Sequence, residues 1–275
     1  MASGDDRPIG IFDSGFGGLT VARAVMDLLP AEHLVYIGDT GRYPYGPRPL
    51  EEVRRFARQI TAKLVDEHDV KLIVVACNTA AAAGLDGVAE QAGGRPVMSV
   101  IPPGVRAAMR ATVHGRVGVI GTVGTVSSGA YQRTFASADG DGRIDLTCAA
   151  CPGFVEFVER GETDSDQVYV LAERLLAPVR EAKVDTLLLG CTHYPFLART
   201  ISDVVGRDVV LVSSADETAF ELKSLLERLG LARLGSRPGA RTWISSGDIS
   251  TFRDLGRRLL GPEIDVVHPW EPAPL

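Results

Sequence analysis

The 275-residue chain is poor in cysteine and lysine, and has no apolar run near the ~20 residues a membrane span needs. Four cysteines in this length exclude a disulfide scaffold; in a reducing compartment they are buried fillers, metal ligands or reagents. No Lys/Arg run occurs and the net charge is -6, which argues against a broad nucleic-acid surface. Met1–Arg7 lacks a charged-then-apolar leader pattern, so a cytoplasmic protein is expected. The lysines are Lys63, Lys71, Lys183 and Lys223. Lys71 and Lys183 begin strands and the others lie in expected helices. None follows a strand into a ligand loop, which disfavours a pyridoxal phosphate Schiff base. At 45% hydrophobic and 23% charged, the chain has core for one large domain or two smaller ones.

Short β-branched runs alternate with longer amphipathic ones. Strands are expected at Pro8–Phe12, His33–Ile37, Val70–Ala76, Pro96–Ile101, Arg116–Ile120, Ile144–Thr147, Val184–Leu189, Asp208–Val212, Thr242–Ser245 and Ile264–Val267. Between Leu50 and His68, Val53, Phe56, Ile60 and Leu64 recur at helical spacing, and Gly17–Leu29 is a second strong helix. Leu231–Arg241 reads as an exposed linker. This alternation predicts an α/β fold with parallel sheets covered by helices.

The chain also carries an internal repeat. Gly10–Ser14 resembles Gly118–Thr122, and Lys71–Thr79 resembles Asp185–His193. The alternative is chance similarity of generic strands, but both halves place a cysteine at the same strand end, Cys77 and Cys191. Ligands of open α/β sheets bind beyond the carboxyl ends of strands. Two such units packed about a pseudo-twofold axis would set the two thiols on opposite faces of one small ligand. One thiolate could then remove a proton from carbon while the other thiol returns one, inverting a stereocentre without a cofactor.

Around those strand ends lie Asp13-Ser14-Gly15-Phe16-Gly17-Gly18, Cys77-Asn78-Thr79 and Cys191-Thr192-His193. The first favours a carboxylate at a helix start. A dinucleotide fingerprint is the rival, with Asp39 downstream, but Thr20 falls where the third small residue belongs and Asp13 would repel a pyrophosphate. Asn78 and Thr79 suit a substrate carboxylate, and Asp13 and His193 are candidates to steer protons. Cys148-Ala149-Ala150-Cys151 is a C-x-x-C without a second pair, so loop or core is expected rather than metal or redox chemistry.

Phe12–Gly18, Gly38–Thr40 with Tyr43–Gly46, Ala76–Ala80, Val119–Thr122 and Gly190–Pro195 run in the order found in the glutamate racemases of bacterial cell-wall synthesis, which the sequence closely resembles. The resemblance implies cofactor-independent interconversion of L- and D-glutamate, supplying D-glutamate for peptidoglycan. It implies two α/β domains with the site between them, residues 1–99 with 213–275 and residues 100–212. Cys77 would take the proton from D-glutamate and Cys191 from L-glutamate. Asp13, Ser14, Tyr45, Gly46, Asn78, Thr79, Thr122, Thr192 and His193 would contact substrate, with Asp39 and Glu159 in supporting roles. Aspartate racemases share the Cys-Asn-Thr and Gly-Cys-Thr elements but usually carry Glu at the place of His193 and lack the Asp-Ser-Gly start. Glutamate is therefore the expected small-molecule partner. A homodimer, and binding to DNA gyrase as some glutamate racemases do, are further expectations; a nucleotide-binding oxidoreductase is the remaining rival.

Overall fold

β1 (Ile9–Asp13) shows how the strands are built: all five residues are buried, because helices cover both faces. The computed structural model describes residues 4–274; Met1–Ser3, the start of the segment read for a leader, lie outside them. In chain order there follow α1 (Leu19–Leu28), β2 (Leu34–Gly38), α2 (Leu50–Asp66), β3 (Leu72–Val75), α3 (Asn78–Ala83), α4 (Asp86–Gln91), β4 (Val97–Ser99) and α5 (Ile101–Ala111). Then come β5 (Arg116–Gly121), α6 (Val123–Ser127), α7 (Ala130–Ala138), β6 (Asp145–Ala150), α8 (Phe154–Arg160), α9 (Asp166–Leu175), α10 (Ala177–Glu181), β7 (Thr186–Gly190), α11 (Ala198–Val205) and β8 (Val210–Ser213). The chain ends with α12 (Ala215–Leu229), β9 (Arg241–Ser245), α13 (Ile249–Leu260) and β10 (Val267–Pro269).

The strands form two sheets, ordered β10-β9-β2-β1-β3-β4 and β6-β5-β7-β8. Every pairing is parallel. The run β2-β1-β3-β4 has the same order as β6-β5-β7-β8, as the internal repeat predicts. Side chains alternate across each strand. Ile9, Ile11, Leu34, Tyr36, Leu72 and Val74 pack on one face with α1 and α12. Phe12, Val35, Ile37, Ile73 and Val75 face the other way, into a core that also takes Val117, Val119 and Leu188 from the second sheet. One continuous apolar cluster therefore joins the two sheets and fixes the carboxyl ends of β1 and β3 relative to those of β5 and β7.

Two expectations change. The last strand lies at Val267–Pro269 rather than Ile264–Val267. Ile264 is instead a fully buried plug against α13, where a Cβ on Gly256 would lie 2.6 Å from Ile264 Cδ1. The segment before β9 is irregular, as expected of a linker, but it is not loose. The Arg233 N–H donates to Glu32 (2.8 Å), and Lys71 Nζ donates to the Leu231 carbonyl (2.7 Å).

Candidate active site

Asp13 closes β1 and is fully buried. Its Oδ1 accepts from the Gly15 N–H (2.8 Å) and its Oδ2 from Thr192 Oγ1 (3.2 Å). Burial raises the Asp13 pKa, while His193, the backbone amides and Thr192 pull against it. The Asp13–Thr192 bond ties the end of β1 to the chain leaving β7. The closeness of that approach explains Gly17: any Cβ there would collide with Thr192 Oγ1 and the His193 ring.

Cys77 follows β3 and caps α3, its Sγ accepting from the Ala80 N–H (3.4 Å) and donating toward Ser14 Oγ (3.6 Å). Burial, reinforced by the Asp13 charge, pushes its thiol up to about 12. Asn78 and Thr79 form the first turn of α3. Asn78 Oδ1 accepts from the Tyr131 hydroxyl (2.6 Å), whereas Asn78 Nδ2 is buried with no partner. Thr79 Oγ1 lies 2.9 Å from Thr122 Oγ1 and 3.2 Å from Thr125 Oγ1, a hydroxyl cluster that links α3 to the cap of α6. Gly46 touches the same corner, its carbonyl accepting from the Gly124 N–H (2.9 Å).

On the opposite sheet, Cys191 follows β7, and its Sγ is 3.9 Å from His193 Nδ1. His193 Nε2 meets Glu159 Oε1 of α8 at 3.1 Å, and the ring stacks on Tyr43. Burial disfavours charge on this ring, but the Cys191 sulfur, Glu159 and Asp13 outweigh it and hold the pKa up to about 10. The sign of the stability effect follows. Below its ordinary 6.5 the histidine is charged in folded and unfolded chains alike, and its full stabilisation is present; this is lost as pH rises through about 10. Over that window one extra bound proton in the folded state is worth about 1.4 kcal/mol per pH unit. Stability measured by urea unfolding should therefore decline between about pH 7 and 9, and His193→Gln should flatten the decline. An unchanged slope in the variant would contradict the raised pKa.

Asp39 and Tyr45 form a supporting layer. The Tyr45 hydroxyl donates to Asp39, which also accepts from Arg42 Nε (2.8 Å) and Ser246 Oγ (2.5 Å). The Arg42 guanidinium itself lies over the rings of Phe56 and Trp270. With its carboxylate so engaged, Asp39 is not free to hold a ribose, and the dinucleotide reading falls. Lys71 is likewise occupied, buried in an ion pair with Glu32 (2.7 Å). Cys148 and Cys151 are free thiols, the first half-buried in β6, the second fully buried. Among the described residues no group of three or more His, Cys, Asp or Glu side chains is arranged to hold a metal ion. A cavity of about 80 Å³, lined by Gly46, Thr122, Val123, Cys151, Pro152 and Glu156, borders this region.

The candidates from both strand ends thus meet in one polar region. Sequence reading missed Thr125, Tyr131 and Arg42. Thr125 carried a signal, since it sits three residues after a capping Thr122; Tyr131 and Arg42 carried none, being placed by tertiary packing alone.

The family model for Asp/Glu/hydantoin racemases matches residues 18–222. The chain is 53% identical over 261 residues to a glutamate racemase of Parafrankia sp., covering 94% of this chain and 93% of that protein. Its structure is similar to glutamate racemase isoform RacE1 from Bacillus anthracis, with TM-score 0.88, 39% identity, and coverage of 96% and 97%. It is also similar to the Francisella tularensis glutamate racemase solved in complex with D-glutamate, with TM-score 0.89, 33% identity and 98% of each chain covered.

Proposed function

The chain belongs to the Asp/Glu/hydantoin racemase family and, within it, to the glutamate racemases; from that premise we propose that it interconverts L- and D-glutamate by proton transfer between Cys77 and Cys191. The observation that carries this reading is the Asp13–Thr192 hydrogen bond, which draws the chain bearing Cys191 onto the acid beside Cys77. One thiolate takes the α-hydrogen as a proton, the C–H electron pair stays on the carbon beside the carboxylate, and the opposite thiol donates a proton to the other face. By resemblance, Cys77 acts as base on D-glutamate and Cys191 on L-glutamate.

Each thiol has a neighbour suited to moving its proton. In the free protein Cys77 is a thiol, the proton-donating form. To act as base it must first lose that proton, and Asp13 is the nearby acceptor; burial raises the Asp13 pKa and narrows the gap between the two groups. His193, oriented by Glu159 and held in its charged form by its raised pKa, is the proton donor beside Cys191 and can return a proton to that sulfur. Ser14, Asn78, Thr79, Thr122 and Thr192 offer hydroxyl and amide groups to the substrate carboxylates. The Tyr45 hydroxyl is held by Asp39, so Tyr45 and Gly46 would contribute main-chain contacts. The reaction supplies D-glutamate for peptidoglycan and takes place in the cytoplasm.

The test is direct. Dialysed protein should form D-glutamate from L-glutamate with chelator present and without pyridoxal phosphate, and should turn over aspartate far more slowly. Activity that needs added metal or pyridoxal phosphate, or that treats both amino acids alike, would overturn the proposal.

A further inference from the structure

We propose that Tyr131 is a positioning residue that fixes which face of the Asn78 amide meets the substrate. Tyr131 lies on α7, beside the second sheet, while Asn78 opens α3, just after β3 of the first. Both are buried, Tyr131 at 1% and Asn78 at 2% exposure. The tyrosine ring sits against the end of β7, where a Cβ on Gly190 would lie 2.9 Å from Tyr131 Cε2; only glycine leaves the ring its place. The Tyr131 hydroxyl donates to Asn78 Oδ1 at 2.6 Å. An amide whose oxygen is taken in this way must turn its NH2 elsewhere, and that NH2 is the buried donor without a partner.

A buried donor left unmet is costly, so its retention points to a ligand that meets it. The ligand atom must be a hydrogen-bond acceptor. Under the reading above, on which this inference rests, that atom is a substrate carboxylate oxygen. Burial, with the nearby Cys191 and Cys148, keeps the Tyr131 phenol protonated far beyond neutral pH, so it remains a donor whatever the state of the thiols. Without the hydroxyl, the Asn78 amide is free to rotate and presents oxygen to the carboxylate part of the time.

The experiment is a double-mutant cycle on steady-state kinetics in both directions. Tyr131→Phe is expected to raise KM for L- and D-glutamate about tenfold, the scale of one well-placed hydrogen bond. It should change kcat much less and leave the pH–rate profile in place, because Tyr131 moves no proton. In an Asn78→Ala background the same substitution should have no further effect on KM. Asn78→Asp tests the donor face without touching Tyr131, and should weaken glutamate more than Asn78→Ala does. An unchanged KM in Tyr131→Phe, an equal KM increase in the Asn78→Ala background, or Asn78→Asp binding glutamate as well as Asn78→Ala would each overturn the inference. Failure of the racemase reading would look different: the unsubstituted protein would not racemise glutamate.

Discussion

Cys77→Ala and Cys191→Ala are each expected to lower racemisation at least about a thousandfold in both directions, within the range that acid–base groups contribute. Inversion needs a base on one face and an acid on the other, so losing either thiol stops both directions. Serine should do nearly as badly, since a hydroxyl is a far weaker acid than a thiol. The two variants should differ in what they retain. Under the proposed mechanism Cys77→Ala would keep the base for L-glutamate and Cys191→Ala the one for D-glutamate, so in deuterated water each should exchange the α-hydrogen of one enantiomer preferentially. Cys148→Ala and Cys151→Ala should racemise normally, losing about 1–2 kcal/mol of stability at most for small buried groups. Measuring rate and α-deuterium incorporation for the four variants decides the matter. Full activity in either of the first two would end the two-thiol mechanism.

Lys71→Met is expected to destabilise the fold by about 3–5 kcal/mol, the usual consequence of stranding one partner of a buried ion pair. Lys71 Nζ donates to Glu32 Oε2, the Asp5 carbonyl and the Leu231 carbonyl, each at 2.7 Å. Glu32 in turn accepts from the Arg233 N–H. A single ammonium therefore pins the chain before β1 and the segment after α12 to the start of β3, the sheet end away from the cysteines. Removing it leaves Glu32 buried and charged. Adding Glu32→Gln should recover part of the loss, since the neutral amide no longer carries a stranded charge and still accepts from Arg233. Urea unfolding of the single and double variants checks this. A single variant as stable as the parent would show that the pair contributes nothing.

The strands were legible because covered parallel strands read as apolar runs between helical periodicities, and most lie within a few residues of their expected places. The exception is instructive. Ile264 looks like a strand residue, but its apolar side chain is used to fill a hollow over Gly256, and the strand forms three residues later where the backbone can pair with β9. Period and hydropathy report burial without saying whether burial occurs in a sheet or a plug. The segment over 231–240 shows the same limit for polar chain. Its composition is that of a linker, yet Glu32 and Lys71, distant in sequence, tie it down.

For this protein, the sequence alone determined the α/β class, the repeated unit, and which candidate residues stand at the ends of β1, β3, β5 and β7, since strand ends and the residues that follow them are adjacent in the chain. What only tertiary structure decided are the side-chain pairings, some between the two units and some within one. Gly17 must be bare because Thr192 and His193 close on it. Asp39 serves Tyr45 and Arg42 rather than a nucleotide. Tyr131 finds Asn78, and Glu159 finds His193. The Gly17 and Tyr131 approaches depend on the shared core that sets one sheet against the other, and the Asp39 and Glu159 pairings on packing within a unit; neither kind leaves a period or spacing in the sequence to read.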